Sequence, residues 1–534
     1  MKKQLQFGVA LSVLFSLSTL AQAPNLGTSA NFVLFTSVGA ITNTGASHLT
    51  GHVGSNSGSS TGFGNVDGVM NNTNGVSALA NADLNLAYIQ LDEAIPNYFI
   101  DPLIGNGQVL QEGIYSLASV STLSNELTLD AQNDPTAVFI FQIDGAFSSN
   151  AFSEVKLING AQACNVFWKI EGQVGLATGT IMKGTLIANN SAITLGTGVV
   201  LEGRAMSTSG AISVNGIEAV TPIGCGSPVL TGPIAPDLNS AICYTIFSSN
   251  GAVANSGITN LTGDVGTNVG LTTGFDPLLV NGMIHPVPDT STNAAAQDLL
   301  LAYTYINTLP FDIQLLYPAQ FGNDLVLTPH TYLLNAATAL TGDIYLNGQD
   351  NEDAVFVIQI NGAFSTSTNS KVILINGTQA KNVYWKVDGA VLINDFSEFK
   401  GTLICNNGAV ELTTGVQING RIMTTDGAVS TAAITSVMTV GCGTMGLNDF
   451  GKEVQAAQFY PNPFTDYLNV VLTEEINSTT TELLIHDALG RQVKTVPLST
   501  MTTTIDVSDF PAGFYFYKIL TANKILQSGS LIAQ

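Results

Sequence analysis

Charged side chains are scarce in this chain, and basic ones are the scarcest. Only 10% of the 534 residues are charged, and 16 basic residues against 39 acidic ones leave a net charge of −23. An acidic surface of this kind repels phosphate backbones and anionic lipids. We therefore expect neither nucleic acid nor a membrane as a partner, and no membrane insertion.

Histidine and cysteine, which build many catalytic and metal sites, are also rare, with five of each. No two cysteines are spaced as CxxC, which argues against a zinc knuckle. An odd number of cysteines leaves at least one unpaired or bonded to another chain. We expect one or two disulfides, with the connectivity open, among Cys164, Cys225, Cys243, Cys405 and Cys442.

Beyond the N-terminus, no stretch of the sequence has the apolar length typical of a membrane span. At the N-terminus, Lys2 and Lys3 precede an apolar run at residues 7–20 and a small-residue cleavage signal at residues 21–23 (AQA). This order is typical of a secretory signal peptide. We assign residues 1–23 to it and expect an exported protein whose mature form begins near Pro24.

What the chain does contain is a duplication, together with 53 glycines and many small polar residues that favour turns and short strands. Residues 49–56 (LTGHVGSN) match residues 261–268 (LTGDVGTN). Residues 137–148 (AVFIFQIDGAFS) match residues 354–365 (AVFVIQINGAFS). We expect two copies of one mainly β domain, at residues 24–226 and 240–443, joined by a stiff proline-containing linker at 227–239.

Within each copy the pattern predicts one long helix among many short strands. Residues 77–95 and 293–309 are rich in Ala and Leu and lack Gly and Pro, which favours amphipathic helices. Short strands predicted at 174–176, 184–188, 192–195, 199–201 and 211–214 fit the stacked parallel coils of a β-solenoid. Ile187, Ile193, Leu195 and Leu201 would fill its interior. Residues 444–457 read as a second linker, and residues 458–534 as a small β-sandwich-like domain.

The few motifs that suggest catalysis or metal binding have simpler interpretations. The residues around Ser60 match the G-x-S-x-G sequence of a nucleophile elbow, but their surroundings do not predict the strand–turn–helix that the motif needs. His48 and His52 lack an HExxH frame, and their counterparts in the second copy are Asn260 and Asp264. Turn chemistry and solvated polar surface are the favoured interpretations of all three residues. No metal site is predicted.

Carboxylates do not form a recurring catalytic pair either. Glu154 aligns with Lys371, whereas Glu171 aligns with Asp388, so only one of these two positions is acidic in both copies. Asp134 and Asp353 lie in turns, where bonds from side chain to backbone explain them. We predict that the chain is not an enzyme; a polysaccharide-degrading β-helix enzyme is the rival that clustered carboxylates would have favoured.

Small hydroxyl side chains recur where strands are predicted to end. Stacked on a solenoid, they would form a flat, uncharged face able to hold ordered water in a regular array. The candidate residues of this face are Thr36, Thr42, Thr44, Ser148, Asn150, Thr178, Thr194, Ser207, Ser209 and Ser213 in the first copy, and Ser248, Ser365, Thr366, Thr368, Thr413, Thr424 and Ser430 in the second. The second copy has charged Asp426 where the first has Ser209, which predicts unequal faces.

Both copies resemble the microbial β-solenoid ice-binding proteins. The likeness rests on residues 26–32 (LGTSANF), 164–169 (CNVFWK), 183–188 (KGTLIA) and 201–204 (LEGR), and in the second copy on 382–386 (NVYWK) and 400–404 (KGTLI). It implies a discontinuous β-solenoid of triangular section with a long helix alongside. It also implies one flat face that binds ice, no cofactor and no enzymatic activity.

The C-terminal region resembles the type A sorting domain of the Bacteroidetes type IX secretion system, through residues 460–463 (YPNP), 487–491 (DALGR) and 511–513 (PAG). This likeness implies the secretion machinery as a partner, and a location outside the cell or on its surface. We expect adsorption to ice planes that inhibits ice growth and recrystallisation. The alternative is a cell-surface adhesin that binds glycans or other cells.

Overall fold

The structure, a computed structural model, describes residues 21–225, 229–438, 457–472, 481–487, 491–521 and 524–534. Most of the predicted signal peptide and of the predicted linker at 444–457 lies outside the described residues. The chain divides into two compact units, residues 1–442 and 443–534. The finer domain boundaries stay predictions.

The first unit contains two β-solenoids of parallel strands, as predicted. In the first solenoid, the sheet nearest the helix has strands Phe32–Val38, His52–Ser57, Tyr98–Phe99, Gly113–Leu117, Phe139–Ile143 and Val166–Ile170. A second face has strands His48–Thr50, Gln108–Leu110, Glu126–Asp130, Glu154–Ile158 and Glu218–Val220. Ile181–Ala188 and Val200–Ser207 run across both. The remaining side, here called the small-residue face, has strands Ile41–Thr44, Ser60–Thr61, Leu103–Gly105, Ser121–Ser124, Phe147–Ser149, Val174–Leu176, Ile193–Leu195 and Ile212–Asn215.

The second solenoid repeats this plan. Its helix-side strands are Tyr244–Ser248, Asp264–Thr267, Ile284–His285, Ile313–Gln314, Thr331–Leu334, Phe356–Ile360 and Val383–Asp388, with Glu398–Asn406 and Gln417–Thr424 spanning two faces. The next face has Asn260–Thr262, Val280–Asn281, Leu325–Leu327, Asp343–Asn347, Lys371–Ile375 and Thr435–Val437. Its small-residue face has Val253–Ser256, Thr272–Thr273, Phe321–Gly322, Thr338–Thr341, Phe364–Thr366, Val391–Ile393, Val410–Leu412 and Val429–Ala432.

The coils are not stacked in chain order. Ile41–Thr44 pairs with Ile212–Asn215 on one side and with Ser60–Thr61 on the other. The N-terminal coil therefore lies beside the last coil of its own solenoid, and the long helix carries the chain back to the opposite end. This arrangement confirms the predicted discontinuous solenoid.

Glycine allows the long strands to turn a corner without interruption. Gly184 pairs with Gly203, and a Cβ on Gly203 would lie 1.9 Å from the carbonyl oxygen of Gly184. Gly401 and Gly420 repeat this arrangement in the second solenoid. No other residue fits such a close approach. The strand predicted at 184–188 begins earlier, at Ile181, because Gly184 lies inside the strand rather than at its start.

The solenoid interiors are packed with apolar side chains in register. In the first, the rings of Tyr115, Phe141 and Trp168 stack with centroid separations of 5.3 and 4.0 Å. The Trp168 indole N–H donates to the carbonyl of Lys183 at 2.9 Å, which satisfies its only polar group. Ile193, Leu195 and Leu201 lie in this interior cluster, as predicted.

One helix lies along each solenoid: α1, Gly75–Glu93, and α2, Thr290–Thr308. In α1 the residues Ala80, Leu84, Ala87 and Leu91 are buried against the outer side of the sheet. Ile187 belongs to this cluster and not to the solenoid interior, so its predicted position is corrected. An apolar residue on a strand between a helix and a core is buried on either side, and the sequence does not distinguish the two.

The cysteines agree with the expectation of one or two disulfides and an odd cysteine outside them. Cys164 and Cys225 form a disulfide, and Cys243 is also disulfide-bonded. Cys405 is a free thiol, fully buried, and its Sγ lies 3.0 Å from the carbonyl oxygen of Gly389. Burial raises the pKa of this thiol to about 11. It therefore stays uncharged at neutral pH and acts as a small packing residue.

The second unit is antiparallel. One sheet has strands Ala457–Tyr460, Tyr467–Leu472 and Thr502–Asp506, and the other has Thr481–Asp487, Gln492–Pro497, Gly513–Thr521 and Lys524–Ala533. Residues from both sheets, including Leu468, Leu483 and Ile519, share one buried core. This agrees with the predicted β-sandwich-like domain.

Candidate functional site

The small-residue face is the distinctive surface of each solenoid. In the first solenoid, the outward residues of eight paired strands fall on one line, here called the central file. Its members are Thr61, Thr42, Ser213, Thr194, Gly175, Ser148, Thr122 and Leu103, in the order in which the strands pair. Seven of the eight have a small side chain or none.

A second line of outward residues, the alanine file, runs parallel to the central file. Backbone bonds between neighbouring coils place Ala40, Ala211, Ala192, Gln173 and Ala146 one above another. On the other side of the central file, Thr44 pairs with Asn215, and Ser124 accepts a hydrogen bond from Asn150 at 3.1 Å. All of these side chains are uncharged.

The spacing of the face follows from the backbone. Neighbouring coils lie roughly 4.8 Å apart, and outward residues two apart on a strand are separated by roughly 6.6 Å. Hydroxyls in the central file hold one another: the Oγ atoms of Thr122 and Ser148 are 3.1 Å apart, and those of Thr194 and Ser213 are 3.2 Å apart. The face is therefore a regular, stiff lattice of methyl and hydroxyl groups.

The second solenoid has the same face with a different central file. Its alanine file is more uniform, with Ala252, Ala428, Ala409, Ala390, Ala363 and Ala337 stacked in succession. Its central file reads Thr273, Ala254, Ser430, Glu411, Leu392, Ser365 and Ala339. Glu411 is exposed in the middle of this line, at the place that Thr194 takes in the first solenoid.

The structure brings six of the sequence-predicted residues into the two central files: Thr42, Ser148, Thr194 and Ser213 in the first solenoid, Ser365 and Ser430 in the second. Thr44 and Asn150 lie beside the central file of the first solenoid. Thr178, Ser209, Thr368 and Thr413 lie in the turns that follow strands, and each is exposed or partly exposed.

Five other predicted residues are buried and form no part of this surface: Thr36, Ser207, Ser248, Thr366 and Thr424. The hydroxyl of Thr36 donates to the carbonyl of Gly210 at 2.7 Å, and that of Ser207 to Ser191 at 2.8 Å. Ser248 and Thr424 bond turn carbonyls in the same way, and Thr366 bonds Ser397. These hydroxyls satisfy backbone groups at the corners of the coils.

Sequence reasoning missed several members of the face. Thr61 and Thr122 belong to the central file but are not among the residues that the sequence predicts for the face. The alanine files were also missed, because isolated alanines carry no polar signature. Their signal was present in the second copy, where Ala recurs immediately before the buried first residue of each strand at positions 252, 363, 390, 409 and 428.

The residues weighed for catalysis or metal binding have structural partners. Asp134 accepts hydrogen bonds from the N–H and the hydroxyl of Thr136, as expected for a turn. Glu171 accepts a hydrogen bond from Tyr88 at 2.6 Å and pairs with Lys169 at 2.7 Å. Within the described residues, no group of three or more His, Cys, Asp and Glu side chains is arranged to hold a metal ion.

The part of the chain that the structure describes also contains no helix with the length and apolar character needed to cross a membrane.

Comparisons with known proteins place both regions in families. Residues 35–219 and 247–437 match the family model described as Ice-binding-like, and residues 458–533 match that of a secretion system C-terminal sorting domain.

Individual proteins are similar over one or both solenoids. An ice-binding protein of Nostoc sp. (strain HG1) is 39% identical over 215 residues, which are 39% of this chain and 78% of that protein. Ice-binding protein K3-B1 of Typhula ishikariensis is 29% identical over 36% of this chain and 86% of its own length. A crystal structure of an ice binding protein from an Antarctic bacterium, Flavobacteriaceae, is 61% identical with a TM-score of 0.78. It covers 79% of this chain and all of its own.

Proposed function

Because the chain belongs to the Ice-binding-like family, we propose that it adsorbs to ice through the small-residue face of each solenoid. The observation that carries this proposal is the central file of the first solenoid. Small hydroxyl and methyl groups stand at regular intervals on a sheet whose coils are cross-bonded. A rigid pattern matters because many weak contacts with a solid surface add up only when they are made together.

The face suits frozen water for a chemical reason as well. Its hydroxyls and amides can bond water, while its methyl groups leave that water without strong competing partners. A charged group would hold its own hydration shell and resist dehydration. Adsorption through this face would stop the growth of the ice beneath it and slow recrystallisation.

The protein is secreted or displayed at the cell surface, since its C-terminal region is a secretion sorting domain. We propose that this domain engages the secretion machinery and that ice is the partner of the solenoids. The family is not one of enzymes, and we propose that the chain catalyses no reaction. The alternative of an adhesin has no support in the comparisons.

The test is ice growth in the presence of the purified mature chain, residues 24–534. We expect shaped crystals and a measurable gap between melting and freezing temperatures. Thr194→Tyr, in the centre of the first solenoid's central file, should lower that gap several-fold, because the ring would hold the neighbouring small groups away from a flat surface.

Ala82→Tyr is the matched control, since Ala82 is exposed on α1, away from the face. It should leave the gap unchanged. Unshaped crystals with the unmodified chain would refute the function. Equal losses with Thr194→Tyr and Ala82→Tyr would refute the assignment of the face.

A further inference from the structure

A buried carboxylate joins the two solenoids. Asp67 belongs to the N-terminal coils that form one end of the first solenoid, where it pairs with Thr50, and only 3% of its surface is exposed. Its Oδ2 accepts hydrogen bonds from the backbone N–H of Thr328 at 3.1 Å and from the Thr328 hydroxyl at 2.6 Å. Its Oδ1 accepts one from Tyr332 at 2.6 Å. Both donor residues belong to the second solenoid.

Burying the carboxylate of Asp67 costs free energy, so specific contacts must offset that cost. Burial raises its pKa, while nearby His330 and the three donors act in the opposite direction. A carboxylate is buried without large loss only when hydrogen bonds replace its water. Here the three hydrogen bonds to the carboxylate all come from Thr328 and Tyr332 of the other solenoid, so separating the solenoids would remove them at once.

Other contacts surround this point. The side-chain amide of Asn65 donates to the carbonyl of Tyr317 at 2.9 Å and accepts from its N–H at 2.9 Å. His48 Nε2 lies 3.2 Å from the carbonyl oxygen of Asn323. Val69 packs against the apolar core of the second solenoid. Several separate contacts resist rotation as well as separation.

The duplication supplies a comparison within the second solenoid. Asn281 pairs with Thr262 in the second solenoid as Asp67 pairs with Thr50 in the first. Asn281 is exposed. The acidic residue therefore occurs in the copy whose end is covered by a second solenoid, and an amide occurs in the copy whose equivalent side chain is exposed.

We propose that Asp67 is a positioning residue that clasps the second solenoid to the first and fixes the mutual orientation of the two small-residue faces. The consequence of this fixed orientation for adsorption to ice rests on the function proposed above. Two faces held in a fixed relation adsorb as one surface, because engaging the first also places the second. Two faces on a free joint adsorb separately and lose that advantage.

The relative orientation of the two solenoids is measured in the full mature chain, as the distance between a spin label on each solenoid by electron paramagnetic resonance. Asn85 on α1 and Thr304 on α2 are exposed and accept spin labels after replacement by Cys, while native Cys405 is buried. The unmodified junction should give one narrow distance distribution. Asp67→Leu should broaden it, because the Thr328 and Tyr332 donors lose their acceptor.

Asn281→Leu is the matched control and should leave the distribution narrow. If Asp67→Leu fails to fold, Asp67→Asn and Tyr332→Phe, alone and together, replace it. Each should broaden the distribution, and the double variant should broaden it by less than the sum of the two, since both act on one bond. A distribution that stays narrow in every Asp67 variant would overturn the clasp.

Ice growth with the same variants tests the consequence. We expect Asp67→Leu to lower the freezing gap while Asn281→Leu does not. A broadened distribution with an unchanged gap would show that the faces adsorb independently, which overturns the coupling. If no chain affects ice, the proposed function fails, yet the distance measurement still decides the clasp.

Discussion

A lysine with almost no exposed surface anchors each long helix to its solenoid. The Lys169 side chain is 6% exposed and bridges Asp92 at 2.6 Å and Glu171 at 2.7 Å. In the second solenoid, Lys386 is 3% exposed and pairs with Asp388. Glu171 also accepts a bond from Tyr88 of α1, as Asp388 does from Tyr303 of α2. The aligned carboxylates Glu171 and Asp388 therefore help to hold each helix against its sheet, and we call this arrangement the clamp.

Removing the lysine tests the clamp. Lys169→Met keeps the length of the side chain but leaves Asp92 and Glu171 without their cation. We expect the free energy of unfolding to fall by about 2 kcal/mol, the scale of hydrogen bonds to charged groups. Lys156→Met is the control, because the Lys156 side chain is 49% exposed and 3.4 Å from Glu126. It should cost roughly 0–1 kcal/mol. Denaturant unfolding measures both.

The pH dependence of the free energy of unfolding is a second test of the clamp. Burial alone would raise the pKa of Glu171, but bonds from Asn189, Lys169 and Tyr88 lower it on balance. A lowered pKa means that the clamp stabilises the fold at neutral pH and weakens as the pH falls through that value. Glu171→Gln should therefore flatten the acid side of the stability profile. An unchanged profile would contradict the clamp.

At this scale the sequence predicts some residues of the face and cannot predict others. Thr42, Thr194 and Ser213 lie on the face, whereas Thr36 and Ser207 are buried at corners. Along a strand, inward and outward residues alternate, but each coil turns at a corner where the alternation is reset. Because a hydroxyl serves equally well for surface water or a corner carbonyl, residue type alone does not decide.

At the scale of elements, both helices begin before the Ala- and Leu-rich stretch that predicts them. The prediction starts at 77 and 293, and the structure starts at Gly75 and Thr290. Each helix has a capping box, in which Asn74 and Ser77, or Asp289 and Thr292, bond each other's backbone N–H groups. The existence of a helix follows from composition, but its first turn follows from capping chemistry, which lies upstream of the apolar pattern.

The cap of α1 offers a prediction with an internal contrast. Asn74→Ala removes the oxygen that accepts the Ser77 N–H at 2.9 Å. We expect a loss of about 1 kcal/mol in the free energy of unfolding. Asn85→Ala, an identical change in the exposed middle of α1, should raise stability by a few tenths of a kcal/mol, since Ala has the higher helix propensity. Losses of equal size at both positions would contradict the capping role.

At the scale of the whole molecule, the two faces are similar in plan and unequal in composition. The sequence predicts this inequality from Asp426, but Asp426 lies in a turn, where it accepts a hydrogen bond from Asn250. The stronger difference is Glu411, because it stands inside the central file between Ser430 and Leu392. Only the strand register reveals this, since it aligns Glu411 with the outward positions of neighbouring coils. We therefore expect the first solenoid to be the better ice adsorber.

Exchanging the unequal residues tests this expectation. In a chain whose first face is blocked by Thr194→Tyr, the remaining freezing gap reports the second face. Adding Glu411→Thr should widen that gap, because the file then carries no group that must keep its hydration shell against the ice. Adding Asp426→Ser instead should change nothing, since Asp426 lies outside the file. In the unblocked chain, the reciprocal Thr194→Glu should narrow the gap. A second face that responds to Asp426→Ser but not to Glu411→Thr would mean that ice contacts the turns rather than the file, and the assignment of the face would have to move there.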